Sequence, residues 1–225
     1  MAVKSFLQEK AGWLAITGAS CILSGFIISA VFFIGSAGEG YSILNHFISE
    51  LGVPSISPMA IAFNVGLIIG APLFIPLVVS LGKHMSTKLG MFFGIGSSIS
   101  GGLVGVFPAT EKLLPIHAVV AFSFFIGGML TVLVFTLVIV REHRRQHSIL
   151  FPRSVALIGF VPIMIFGGFL FISFSGMVNF SNFSLESFTR PPFWGVAFLE
   201  WLSVLSIIGW IVISATHATR IAVHE

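Results

Sequence analysis

The sequence contains no aspartate, one cysteine and one tyrosine, and only 8% of its 225 residues are charged. Each shortage excludes something. A single cysteine, Cys21, can form neither an intrachain disulfide nor a cysteine-based metal motif. With every acidic residue a glutamate, a Ser-His-Asp triad cannot be built. So little charge cannot cover the surface of a water-soluble domain of this length. The net charge of +3 is no sign of nucleic-acid binding, because the basic residues sit at the ends of apolar runs, where they orient a chain in a bilayer.

What the sequence has in quantity is apolar surface: 56% hydrophobic residues, 25 Phe and a mean hydropathy of +1.06. Six stretches of about 20 or more apolar residues can each cross a hydrocarbon core of roughly 30 Å at about 1.5 Å per residue. They run from 11 to 36, 59 to 82, 89 to 107, 116 to 140, 154 to 178 and 194 to 217. The expected fold class is therefore an all-α membrane protein of six transmembrane helices, with residues 1–225 forming one bundle domain. The first stretch exceeds the roughly 7–15 residues of a signal-peptide core and counts as helix 1.

Nine of the eleven Lys and Arg residues fall at the N-terminus, in 83 to 88, in 141 to 153 and in the C-terminal tail, and only Lys112 and Arg190 lie on the other side. The positive-inside rule then predicts a cell-membrane protein with both termini cytoplasmic, and with residues 37 to 58, 108 to 115 and 179 to 193 facing outward. Glu39, Glu50, Glu111 and Glu186 fall in the outer loops, with His46 and His117 beside them. The histidines at 84, 143, 147, 217 and 224 fall among basic residues on the cytoplasmic side and read as interfacial anchors. Trp13, Tyr41 and Trp194 suit interfacial belts.

The segment "YSILNHFISELGVP" (41 to 54) interrupts this apolar chain. Ile43, Leu44, Phe47, Ile48 and Leu51 recur at helical spacing, with Ser42, Asn45, His46, Ser49 and Glu50 opposite them. The pattern predicts a short amphipathic helix that lies at the outer interface or tucks back between helices, capped by a left-handed Gly52 and stopped by Pro54. His46 and Glu50, four residues apart, share one side, where they can bind a metal, share a proton or form a plain ion pair. Glu200 lies about six residues, or roughly 9 Å, inside helix 6, and such groups usually face a bundle interior or a wet cavity. Asn64, about five residues inside helix 2, and Ser203, on the Glu200 face, are polar groups at similar depth. The alternative for the whole set is separate polar contacts between helices.

Other features read as packing. Small residues at Gly94, Ser98, Gly102 and at Ser97, Gly101, Gly105 suit close helix approach and suggest that helix 3 is central, while Pro72, Pro76 and Pro162 are expected to kink helices 2 and 5. "GIGSS" inside helix 3 lacks the strand context and acidic residue of a nucleotide loop.

The motifs "YSILNHFISELG" after helix 1, "FN" at 63 to 64, "GVFP" at 105 to 108 and "HAVVAFSFF" at 117 to 125 give a resemblance. The chain resembles, over nearly its whole length, the prokaryotic six-helix membrane proteins classed as domain of unknown function 998. The resemblance implies a multi-pass membrane protein without an assigned activity.

Two function classes follow. In the first, a hydrolase or transferase acts on membrane lipid at the outer face. His46, Glu50 and His117 bind a divalent metal such as zinc or act as acid and base, and Glu200 or Glu111 activates water. Asn64, Ser49, Asn45 and Ser203 then contact the substrate. In the second, a proton- or ion-coupled transporter lines its cavity with Glu200 and Asn64 beneath a gate formed by the amphipathic helix. Haem ligation by His46 and His117 has little support, and a non-catalytic membrane scaffold is the default if the polar groups scatter. The geometric test is whether His46, Glu50, His117 and Glu200 meet at one cavity.

Overall fold

A computed structural model describes residues 2–85, 87–144, 151–175 and 190–224, with side chains described over 10–85, 87–144, 151–175 and 190–219. Glu186 and His147, both assigned positions from the sequence, lie outside the described residues. In lipid every backbone N–H and C=O must find a partner within the chain, and long apolar segments therefore become helices. All the regular elements among the described residues are helical: α1 (Ala2–Val31), α2 (Ala60–Gly70), α3 (Ile75–His84), α4 (Lys88–Val106), α5 (Leu114–Arg144), α6 (Arg153–Phe174) and α7 (Gly195–His224). A 3-10 stretch over Pro72–Phe74 joins α2 to α3 in one span, and six spans are long and apolar enough to cross a membrane. The chain is a multi-pass helical membrane protein.

The prolines act as expected at one place and not at another. Pro72 opens the 3-10 stretch that breaks α2 from α3, and Pro76 sits in the first turn of α3, where a missing N–H costs nothing. Pro162 lies buried inside α6 without interrupting it.

Each span packs on the next, and α7 returns to α1, so the six spans close a ring. The α1–α2 contact is backbone to backbone: a Cβ on Gly25 would lie 2.5 Å from the Ala62 carbonyl oxygen, and one on Gly18 would lie 2.5 Å from that of Gly70. Helix α4 is a wall of the ring rather than its centre, contrary to expectation. Its small residues do permit close approach to α3 and α5, but Phe92, Ile99 and Val106 on its remaining face are exposed.

Six passes put both termini at one end of the ring. The other end carries the turn after α1, the α4–α5 connection and the residues before α7; we call it the lid end. Helix α1 stops at Val31, five residues short of the sequence boundary, because the chain folds inward there: Phe33 is buried, and the N–H groups of Ile34 and Gly35 both donate to the Ile56 carbonyl.

The expected amphipathic helix between α1 and α2 does not form. Only a 3-10 stretch over Ile48–Gly52 appears, preceded by turns. The reason is competition for the backbone. An α-helix from Ile43 would need the Phe47 and Ile48 N–H groups for itself, but they donate to the side chains of Glu50 (2.9 Å) and Glu200 (2.7 Å). The Leu44 carbonyl accepts from the Trp194 N–H at 2.8 Å and the Asn45 carbonyl from Arg190 at 3.3 Å. Nor is Gly52 left-handed, since the positive-φ glycines are Gly35 and Gly38. Its need is space: a Cβ there would lie 2.6 Å from Asn64 Oδ1 and 2.9 Å from the Phe63 ring.

Candidate functional site

The lid-end polar residues form two layers separated by the backbone of residues 47 to 49. The upper layer is built on Arg190, just before α7. Its guanidinium grips Glu50 in a two-pronged pair, Nη2 to Oε2 at 2.6 Å and Nη1 to Oε1 at 3.0 Å, while Nε lies 3.5 Å from Glu39 Oε1. Glu50 is 1% exposed and Arg190's side chain 9%. Such planar fork geometry is what Arg offers a carboxylate and Lys does not. Asn45 donates its amide to the Pro191 carbonyl at 3.0 Å, so residues 190 to 194 are strapped across residues 39 to 50.

His46 belongs to this layer. Its Nδ1 lies 3.2 Å from both the Ser42 nitrogen and the Ser42 carbonyl oxygen, and its Nε2 lies 3.4 Å from Glu39 Oε1. Burial and the Arg190 charge push the imidazole below its usual value, in keeping with a neutral ring. Burial raises the Glu50 carboxyl, against the opposing pull of Arg190 and the Phe47 N–H. For Glu39 burial is outweighed by hydrogen bonds from its own N–H, from Ala37 and from His46, and by the Arg190 charge, so its carboxyl is held below the usual value.

Tyr41 and Trp194, at the lid end and partly buried, make packing and hydrogen-bond contacts within this layer. The Tyr41 hydroxyl donates to the Phe47 carbonyl at 2.9 Å and accepts from Trp201 Nε1 at 2.6 Å, and Trp194 meets Phe47 edge-on at 4.6 Å. Beneath them, the buried Ser29 hydroxyl of α1 donates to the Leu51 carbonyl at 2.7 Å and pairs with the Ser57 hydroxyl at 2.7 Å. Asn64 of α2 donates to the Gly52 carbonyl at 3.0 Å. These bonds hold the 3-10 stretch onto α1 and α2.

The lower layer faces the interior. A cavity of about 80 Å³ runs down the ring between α1, the α2–α3 span, α4, α5 and α7. Its walls are mostly apolar, including Phe26, Phe74, Phe125 and Ile208. At its lid end stand Ser49, Glu200 and His117. Glu200 and His117 are each 6% exposed. One oxygen of Glu200 accepts the Ile48 N–H, and Ser49 also directs its N–H and hydroxyl at the carboxylate. His117 Nδ1 donates to the Phe107 carbonyl at 2.7 Å, which fixes the tautomer and leaves Nε2 an acceptor that none of the described residues engages.

The predicted site residues therefore divide. Glu200, His117 and Ser49 share the cavity. His46, Glu50 and Asn45 lie in the strap above it, and Asn64 points to the 3-10 backbone. Ser203 is buried with an unpartnered hydroxyl and does not line the cavity, and Glu111 is exposed. His46, Glu50 and His117 are not brought into one ligand set. Among the described residues no three His, Cys, Asp or Glu side chains come close enough to hold a metal ion, and both Glu50 oxygens already meet Arg190. Sequence reasoning missed Arg190, Glu39, Ser29, Ser57 and Trp201. The signal for Arg190 was present, since it is one of only two basic residues assigned to the lid end.

Chemically, the cavity offers a carboxyl group and a neutral imidazole acceptor at the head of an apolar slot. That combination can bind the polar end of an amphiphile, or hold and pass a proton. No curated protein and no solved structure matches the chain. The family described as "Protein of unknown function (DUF998)" matches residues 21–217, which takes in the C-terminal part of α1, α2 to α6, most of α7, the strap and every wall of the cavity, and the chain belongs to that family.

Proposed function

We propose that this is a cell-membrane protein that binds a lipid-like amphiphile in the ring cavity, its polar head at Glu200, His117 and Ser49 and its tail among the apolar walls. One observation carries this reading. Glu200 of α7 and His117 of α5, ionisable groups set inside spans, come from distant parts of the chain and border the same apolar cavity. Insertion of a charged side chain costs roughly 2.5–3.5 kcal/mol at a bilayer centre, and ionisable groups within spans usually face a bundle interior or a wet cavity that they serve. The Glu50–Arg190 strap is the cover of this site. A hydrolase or transferase reaction, if the bound molecule is turned over, would fall to Glu200 and His117, because Glu50 and His46 are committed to the strap. The Lys and Arg distribution supports cytoplasmic termini and an outward-facing lid.

The test is native mass spectrometry of detergent-purified protein offered single-chain amphiphiles, with Val204→Trp, one turn below Glu200 and on the cavity wall, as the blocking variant. The wild type should retain one amphiphile per chain through detergent exchange, and a folded Val204→Trp should not. Equal retention by both would show that the cavity is not the site. For orientation, in a Cys21→Ser background, Lys112→Cys should react with a membrane-impermeant thiol reagent in intact cells and Lys83→Cys only after permeabilisation. The reverse pattern would invert the topology.

A further inference from the structure

The head of the cavity is specific about the sign of the charge it can take. Glu200 is buried with no Lys, Arg or His in an ion pair with it among the described residues. The charged neighbour acting on it is another carboxylate, Glu50, and the guanidinium that could have neutralised it is spent on Glu50 and Glu39. His117, the other group at this end, presents an acceptor at Nε2 because its Nδ1–H is committed to the Phe107 carbonyl. The Ser49 hydroxyl is the third polar group. A carboxylate in an apolar setting that meets N–H groups and a hydroxyl but no cation still keeps its charge uncompensated, and a proton or a cation must neutralise it.

We infer that the head group this site takes is a protonated amine, and that the ligand class is the amine-bearing amphiphile. The inference rests on the reading of the cavity as an amphiphile site and adds its chemical selectivity. A primary ammonium carries three N–H donors and no acceptor. The Glu200 carboxylate and the Ser49 oxygen beside it offer acceptors to match, His117 Nε2 is a further acceptor on the same cavity, and the ammonium supplies the missing counter-charge. A carboxylate or phosphate head group would meet Glu200 with like charge and find no cation. An alcohol can satisfy part of the hydrogen bonding but not the charge. A trimethylammonium group supplies charge but no N–H.

The experiment uses the full chain in detergent and a series of one chain length that differs only in head group: primary amine, trimethylammonium, alcohol and carboxylate. A short soluble amine is added to separate an aminolipid from a free amine. Binding is read by native mass spectrometry and by competition between members of the series. The primary amine should outcompete the alcohol and the carboxylate by about tenfold or more, the worth of one charge-assisted hydrogen bond over a neutral one. A short amine that competes as well as the long-chain amine would show that the site takes a free amine and would overturn the amphiphile class. Glu200→Gln should abolish the preference for the amine while still binding the alcohol. A carboxylate that binds as well as the amine, or a Glu200→Gln protein that keeps the preference, overturns the amine assignment and leaves the cavity reading intact. Should no member of the series bind, the cavity reading itself fails. If Glu200→Gln does not fold, the wild-type ranking of the head groups decides alone.

Discussion

Replacing Arg190 by Met removes the guanidinium and keeps most of the side-chain volume. It leaves Glu50, 1% exposed, with the Phe47 N–H and no cation, because the carboxylate's two strongest contacts, at 2.6 and 3.0 Å, both come from Arg190. Breaking one partner of a buried pair typically costs about 3–5 kcal/mol, because the other charge stays behind. In a chain of this length each kcal/mol moves the melting temperature by roughly 2–4 °C, so Arg190→Met should melt roughly 6–20 °C below the wild type at neutral pH. The deficit should also depend on pH, with a fixed sign. Burial already raises the Glu50 carboxyl above 4.5 in the wild type, and removing Arg190 takes away the largest opposing influence, so the folded-state value rises further. A group whose folded pKa is raised gives stability that is complete below its unfolded pKa and is lost as pH rises through the folded value. The deficit of Arg190→Met should therefore shrink as pH is lowered from 8 toward 4.5, by up to about 1.4 kcal/mol per pH unit within the titration window. The assay is thermal unfolding in detergent at one scan rate, at several pH values, with Glu50→Gln/Arg190→Met as the partner variant. The double variant carries no unpaired charge at position 50 or 190 and should be more stable than Arg190→Met at pH 8. A deficit that does not change with pH, or a double variant no better than the single one, would refute the claim that a buried, Arg-compensated carboxylate holds the strap.

Two further outcomes follow from the same contacts. Gly52→Ala forces a Cβ to within 2.6 Å of Asn64 Oδ1 and 2.9 Å of Phe63, and should cost about 1–3 kcal/mol, whereas Gly40→Ala meets nothing within 4 Å and should stay within about 0.5 kcal/mol of wild type. Equal melting temperatures for the two variants would show that close packing of the 3-10 stretch on α2 is not what requires Gly52. His46, held neutral by burial and by Arg190, has a depressed folded-state pKa, so its contribution to stability is complete above 6.5 and is lost as pH falls through the folded value. His46→Gln should flatten the fall in melting temperature below pH 6.5, and the idea fails if both proteins lose the same stability between pH 7 and 5.

The spans were legible because they depend on one summed quantity, apolar length, and the bilayer sets the scale that length must meet. Against the membrane-spanning lengths, errors at the ends were a few residues, the largest after Val31, where Phe33 turns inward through contacts that no local pattern encodes, while α1 and α7 run on as helix beyond their spans. The reading failed at residues 41 to 54 for a physical reason. Periodicity measures what a segment would do alone, whereas here carboxylates at positions 50 and 200 take the N–H groups that a helix needs. The same blindness hid the strap. Arg190 and Glu50 are 140 residues apart in sequence, and nothing in spacing couples them. Glu200 and His117 could be found because an ionisable group inside an apolar span stands out against its neighbours, whatever it contacts.

Glu50 and Glu200 show how one stretch of backbone can serve two purposes. Consecutive N–H groups, those of Phe47 and Ile48, donate to the two carboxylates from a single extended bend. Glu50 sits in the strap and is compensated by Arg190; Glu200 sits at the cavity and is not. Glu200 is held instead by the Ile48 N–H and by Ser49, with no cation beside it, and in the proposed reading that uncompensated charge is what a ligand head group would meet beneath the strap. The two glutamates should therefore separate in any assay that reads stability and binding together: substitution at Glu50 should lower the melting temperature first, and substitution at Glu200 should change which head group is held.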